Sequence, residues 1–167
     1  MTPAAAAALS KEQILDWLKD VPDPEIPVLT ITDLGIVRGV ELDGDAVTVA
    51  LAPTYSGCPA TEFIECSVVE ALKARGVTSI AIDRQLSPAW TTDWISDSGR
   101  RKLREYGIAP PEKGGSKRAL LRGNRDVACP RCGSLDTERV SEFGSTACKA
   151  AYRCTACLEP FEYFKCI

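Results

Sequence analysis

The sequence predicts an α/β (α+β) domain, with helices flanking a few strands, followed by a short β ribbon built around four cysteines. Three observations carry this. Apolar residues at helical spacing alternate, through residue 107, with β-branched runs bounded by turn residues. Ile108-Ala-Pro-Pro-Glu-Lys-Gly-Gly-Ser-Lys117 combines prolines, glycines and charge as linkers do. Beyond it stand two tight pairs, Cys129-Pro-Arg-Cys132 and Cys154-Thr-Ala-Cys157. The expected organisation is a domain over 1–107, a linker over 108–126 and a ribbon over 127–167.

The elements follow in order. Ser10-Lys-Glu-Gln13 has the form of a capping box, and Ile14, Leu15, Trp17, Leu18 and Val21 continue on one broad helical face. Asp20-Val-Pro-Asp-Pro-Glu-Ile-Pro27 ends that helix, because proline cannot sustain the hydrogen-bond ladder. Apolar runs at 36–42 and 46–52 around Asp43-Gly44-Asp45 predict a hairpin. A helix is expected over 60–75, closed by Gly76, then a third strand over 77–84 and a second short helix over 96–106, closed by Gly107. Ribbon strands are expected over 135–143, 150–153 and 160–165. The run Phe161-Glu-Tyr-Phe164 alternates as a strand with one buried face.

Composition removes whole classes of function. The 167 residues include eight cysteines and no histidine, which excludes Ser-His-Asp and Cys-His triads and the histidine-bearing ligand sets of zinc proteases and di-iron oxygenases. There is no Rossmann or P-loop glycine pattern. No stretch approaches the roughly 18 apolar residues of a membrane span, and the alanine-rich start lacks the basic region of a signal peptide. A cytoplasmic protein is expected, its cysteines serving metal and thiol chemistry rather than disulfides. Residues 1–99 carry 6 basic and 15 acidic groups (−9), residues 100–167 carry 14 and 8 (+6). The split fits acidic partners for the second unit, or two solvated faces of opposite sign. A pI near 5.1 argues against nucleic acid as the main partner.

Two Cys-x-x-Cys turns brought together make a tetrahedral four-thiolate site, so Cys129, Cys132, Cys154 and Cys157 are the expected metal ligands. Zinc there would staple a segment too small to fold alone, whereas iron in the same cage would carry electrons, as in rubredoxin. Zinc is the expectation. Gly133 follows the first pair in the usual way; Leu158 stands where glycine would be typical after the second. Cys148 and Cys166 could substitute for a ligand, pair, sit reduced in the ribbon, or join Cys58 in a second site.

Cys58 belongs to Thr54-Tyr-Ser-Gly-Cys58-Pro59, where a helix should begin. Pro59 suits the first helical position, which makes Cys58 the expected N-cap. Backbone N–H groups and the helix dipole favour a thiolate there. Gly57 permits close approach, and the Thr54 hydroxyl could reach the sulfur. The loops holding Asp23, Glu25 and Asp33 could add carboxylates to form an open, labile iron site. A small buried hydrophobe is the competing account of a lone cysteine. Cys66, on the following helix near Glu62 and Glu70, reads as a spectator.

Asp23-Pro-Glu-Ile-Pro27, Asp33-Leu-Gly-Ile-Val37 and the Thr54…Gly57-Cys58-Pro59 turn resemble the SufT-like family of iron–sulfur assembly domains, over about residues 10–107. The resemblance implies a small mixed sheet, a role in delivering iron–sulfur clusters to client enzymes, and Cys58 as the reactive residue. Trp90-Thr-Thr-Asp-Trp-Ile-Ser96, Tyr106-Gly-Ile-Ala-Pro-Pro111, Ser141-Glu-Phe-Gly-Ser-Thr-Ala-Cys-Lys149 and Tyr163-Phe-Lys-Cys166 extend it. With Cys129-Pro-Arg-Cys-Gly-Ser134, they are similar to the D-subunit (J-protein) family of phenylacetyl-CoA 1,2-epoxidase systems. That implies the oxygenase and reductase subunits as partners and an accessory part in their maturation, with iron or an iron–sulfur cluster bound transiently. The alternatives are a rubredoxin-like electron-transfer component and a structural adaptor of the multicomponent oxygenase.

Overall fold

The structure, a computed structural model, describes residues 9–114 and 127–165. Helix α1 (Lys11–Leu18) starts at the expected capping box: Ser10 accepts from the Gln13 amide at 3.1 Å, and the Gln13 side chain accepts from the Ser10 amide. Ile14, Leu18 and Val21 are buried, while Leu15 lies off that face, partly exposed. The hairpin is β1 (Val37–Asp43) and β2 (Ala46–Leu51), paired antiparallel across Gly44. Helix α2 (Ala60–Lys73) then buries Ala60, Ile64, Val68 and Leu72, four residues on one stripe. It returns the chain to β3 (Ser79–Arg84), which pairs parallel with β2. The sheet, β1-β2-β3, is mixed. A turn of 3₁₀ helix (Thr92–Trp94) leads into α3 (Asp97–Tyr106), ended by Gly107 in the left-handed conformation at φ +90°.

The ribbon sheet runs β4-β7-β6-β5, from β4 (Ile108–Ala109), β5 (Thr137–Ser141), β6 (Lys149–Cys154) and β7 (Pro160–Phe164). Residues 108 and 109 open the expected linker, yet here they pair parallel with β7. Alternation along a strand explains what this achieves. Ile108 and Phe164 join the core of the first unit, whereas their neighbours Ala109 and Tyr163 join the ribbon core with Val127, Cys129, Cys154 and Phe161. The two cores therefore meet through shared strands. The rest of the expected linker, 115–126, lies outside the described residues, as does Cys166.

Trp90 marks the meeting point. Its indole N–H donates to the Leu34 carbonyl at 2.8 Å, and its ring lies 6.2 Å from that of Phe164. Next to it Gly35 has φ +68°, and a Cβ there would come within 2.5 Å of the Trp94 carbonyl oxygen. Both conformation and space require glycine at this crossing.

Candidate functional site

The four ribbon sulfurs all lie within 4.8 Å of one another. Cys129 and Cys157 approach to 3.8 Å, Cys132 and Cys154 to 3.6 Å. A tetrahedral ion bonded to sulfur at about 2.3 Å sets its ligands about 3.8 Å apart, so the cage fits a metal of zinc's size and preference. The Gly133 amide donates to the Cys129 carbonyl at 2.9 Å, turning the first knuckle. Leu158 adopts φ +63°, so the second knuckle keeps a left-handed turn without glycine, at a cost of about 1–2 kcal/mol. The Cys157 amide donates to Cys154 Sγ at 3.4 Å. That bond and the Ala156 amide draw the Cys154 thiol down to about 7. An ion pair between Arg131 and Glu159 ties the knuckles together outside the cage.

A second group of thiols and carboxylates surrounds a cavity where the two units meet. Its walls include Asp23, Glu25, Thr54, Cys58, Cys148 and Phe164. Helix α2 starts at Ala60 with Pro59 (φ −65°, ψ −22°) as its cap, one residue beyond the expected Cys58, and no side chain caps this end. Cys58 is nearly buried, its amide donating to the Tyr55 carbonyl and its carbonyl accepting from Thr61. Gly57 has φ +81° with open space where a Cβ would stand. Thr54, whose hydroxyl the sequence pointed to, stands with Cys58 in the cavity wall, and the phenol of Tyr55 in the same turn is electrostatically linked to Cys58. Burial, then Cys58, pushes the Tyr55 phenol up to about 12, so it stays protonated.

The loop before β1 supplies the carboxylates. Asp23 accepts from the Glu25 and Ile26 amides at 2.9 and 2.7 Å, which makes a tight turn and aims Glu25 at the cavity. Burial raises the Asp23 carboxyl despite those bonds, and burial followed by the Asp23 charge raises Glu25. Lys149, almost wholly buried, opposes both shifts and pairs with Glu162 at 3.0 Å. From the ribbon, Cys148 Sγ faces Glu25 Oε2 at 3.8 Å, with the Thr146 hydroxyl 3.1 Å from the same sulfur.

Asp33 is not part of this wall. It accepts from Ser96 Oγ at 3.1 Å, Lys102 Nζ at 2.6 Å and the Thr30 amide at 3.2 Å, joining the loop to α3. Burial pushes its carboxyl up, but Lys102 and Thr30 together outweigh that and hold it below the usual range. Asp33→Asn is expected to cost about 1–3 kcal/mol in urea denaturation at pH 7. A depressed folded value means the charge stabilises fully above the unfolded pKa near 4 and that contribution is lost as pH falls through the folded value. The gap between wild type and variant should therefore close below about pH 4. Cys66 is exposed on α2, away from the cavity walls. Cys148, which the sequence offered as one possible companion of Cys58, does reach this cavity, while the nearby Tyr55 and Lys149 had no sequence signal.

Both parts of the chain match known protein families. The family model described as iron–sulfur cluster assembly protein matches residues 11–82, and that of the PaaD zinc beta ribbon domain matches residues 113–165. A relative from Escherichia coli (strain K12), described as the D subunit of a putative 1,2-phenylacetyl-CoA epoxidase, is 53% identical over 164 residues, 98% of each chain. An Fe-S protein maturation auxiliary factor from Porphyromonas gingivalis is 38% identical over 98 residues, 56% of this chain and 90% of its own. The crystal structure of a domain of unknown function, DUF59, from Bacillus anthracis superposes with a TM-score of 0.52 at 25% identity, covering 56% of this chain and 90% of that one.

Proposed function

We propose that this chain, which belongs to the D-subunit family of putative 1,2-phenylacetyl-CoA epoxidases, is an accessory factor that matures the metal centres of such an epoxidase system. Cys58 is the thiol that holds iron or an iron–sulfur cluster in transit to a reductase or oxygenase client. The observation that carries this is the contrast between two thiol sites. The ribbon sulfurs form a closed cage with every position filled by protein, which suits a resident ion. Cys58 instead stands in a cavity beside carboxylates, with free approach over Gly57, which suits an exchangeable one.

Cargo leaves such a site by ligand exchange. Cys58 gives up its proton when it takes the metal and recovers one when a client thiolate or carboxylate displaces it. The Tyr55 hydroxyl stabilises the sulfur in between, Asp23 holds the loop, and Glu25 offers a hard oxygen to complement the soft sulfur. Zinc held by Cys129, Cys132, Cys154 and Cys157 would supply a redox-silent crosslink. The setting is the cytoplasm, where thiols stay reduced. Among the described residues no helix is long and apolar enough to cross a membrane.

Cys58→Ser tests the function in cells. The variant should leave the reductase short of its cluster and lower epoxidase activity at least tenfold, with the abundance of all subunits unchanged. A fully loaded reductase and full activity would refute it. Metal analysis of the purified chain should find one zinc and no red, reducible iron; the opposite result favours an electron carrier.

A further inference from the structure

We propose that Cys148, carried by the ribbon, is a second metal-binding thiol, which with Cys58 and Glu25 forms a two-thiolate, one-carboxylate site for a single divalent first-row ion, iron(II) in the setting above. This rests on reading Cys58 as a metal-holding thiol and adds that the ribbon is part of the transfer site as well as its neighbour.

Three features point to it. Cys148 is 4% exposed and packs against the apolar core of the first unit, yet its sulfur also has polar neighbours that a purely hydrophobic role does not require. A carboxylate from a loop 123 residues away faces its sulfur at 3.8 Å, and a hydroxyl stands at 3.1 Å. The segment that carries it is also tightly pinned. The Gly144 amide donates to the Lys149 carbonyl at 2.7 Å, the Lys149 amide to the Thr146 carbonyl at 3.1 Å, and the Lys165 amide to the Cys148 carbonyl at 2.9 Å. A Cβ on Gly144 would stand 2.5 Å from the Glu162 carboxylate, so the loop is packed against β7 and presents Cys148 at a set place.

The cavity itself admits such a guest. It is open to solvent and has room inside for at least one ion or water. Two thiols release two protons on binding, and with Glu25 they leave a divalent ion one net negative charge. Lys149, buried next to Cys148 in the chain and paired with Glu162, adds positive potential nearby. Among the described residues only the ribbon ligands are gathered within 4.8 Å of one another. The second set stands more open, and an arriving ion must draw its ligands in, which favours exchange over storage.

Anaerobic titration of the zinc-loaded full chain with cobalt(II), a spectroscopic probe of thiolate ligands, tests this. Wild type should take up one cobalt beyond the ribbon zinc. Cys58→Ser and Cys148→Ser should each halve the thiolate-to-cobalt absorption and weaken binding at least tenfold. Cys66→Ser should match wild type. Cys148→Ala repeats the test without burying a hydroxyl, and Glu25→Gln should weaken binding about tenfold while leaving the sulfur absorption intact; circular dichroism and retained zinc confirm folding. If the Cys148 variants bind like wild type while Cys58→Ser does not, the shared site is wrong and the Cys58 role survives. Unchanged affinity in Glu25→Gln removes the carboxylate from the set and overturns the site as stated. A wild-type chain that takes up no second ion overturns both readings.

Discussion

Cys154→Ser is expected to release the ribbon metal and unfold the ribbon, the largest effect of any single substitution in this chain. Cys154 is fully buried at the centre of the ribbon core, whose other buried members are Ala109, Val127, Cys129, Phe161 and Tyr163. Two of those six residues are themselves metal ligands. So little apolar surface cannot order a segment of this length. Metal binding by such cages is worth about 10–16 kcal/mol at neutral pH, and in a domain this small it is folding free energy. A serine oxygen replaces a soft thiolate poorly. Metal analysis of the variant should find the ribbon zinc lost, and hydrogen exchange should show β5, β6 and β7 unprotected while β1, β2 and β3 retain most of their protection. Chelation of the wild-type metal should reproduce the same map. Retained metal with protected ribbon strands would show that the ribbon folds without its cage.

Phe164→Ala is the second large effect. Phe164 is 1% exposed in the core of the first unit although it ends the last ribbon strand, and its ring meets that of Trp90. Removing the ring should cost about 3–5 kcal/mol in urea denaturation, cavity included. Its location makes the change more than a loss of stability, because Phe164 also walls the cavity beside Cys148. Exchange protection in β4 and β7 should therefore fall before that of β2. Phe143, 62% exposed under the Lys165 ammonium, provides the contrast: Phe143→Ala should change stability by about 0.5 kcal/mol or less. Equal effects at the two positions would mean that the units do not share a core.

The elements legible in the sequence were those with local causes. The capping box at Ser10, the Gly44 hairpin, the Gly107 helix end and the two cysteine pairs each depend on residues a few positions apart. Leu158 shows the limit of even local rules, since the knuckle keeps its geometry by straining a leucine. What stayed hidden depends on distant contacts. Nothing near Cys148 in sequence announces Glu25, and nothing near Asp33 announces Lys102. Ile108 and Ala109 looked like linker because a two-residue strand has no periodicity; their partner lies far along the chain. The cavity was thus half visible. Cys58, Asp23 and Glu25 came from local loop patterns, while the opposite wall arrived with the tertiary fold.

The parallel pairing of β4 with β7 also has a consequence for how the protein is born. Cys58 leaves the ribosome long before Cys148 and Phe164, which complete its cavity. At about 5–20 residues per second the first unit waits several seconds for that wall. During the wait its thiol has Asp23 and Glu25 beside it but neither Cys148 nor Phe164. The cavity is therefore completed only when the last strand has been made and docked, and a half-made chain presents Cys58 without its ribbon wall.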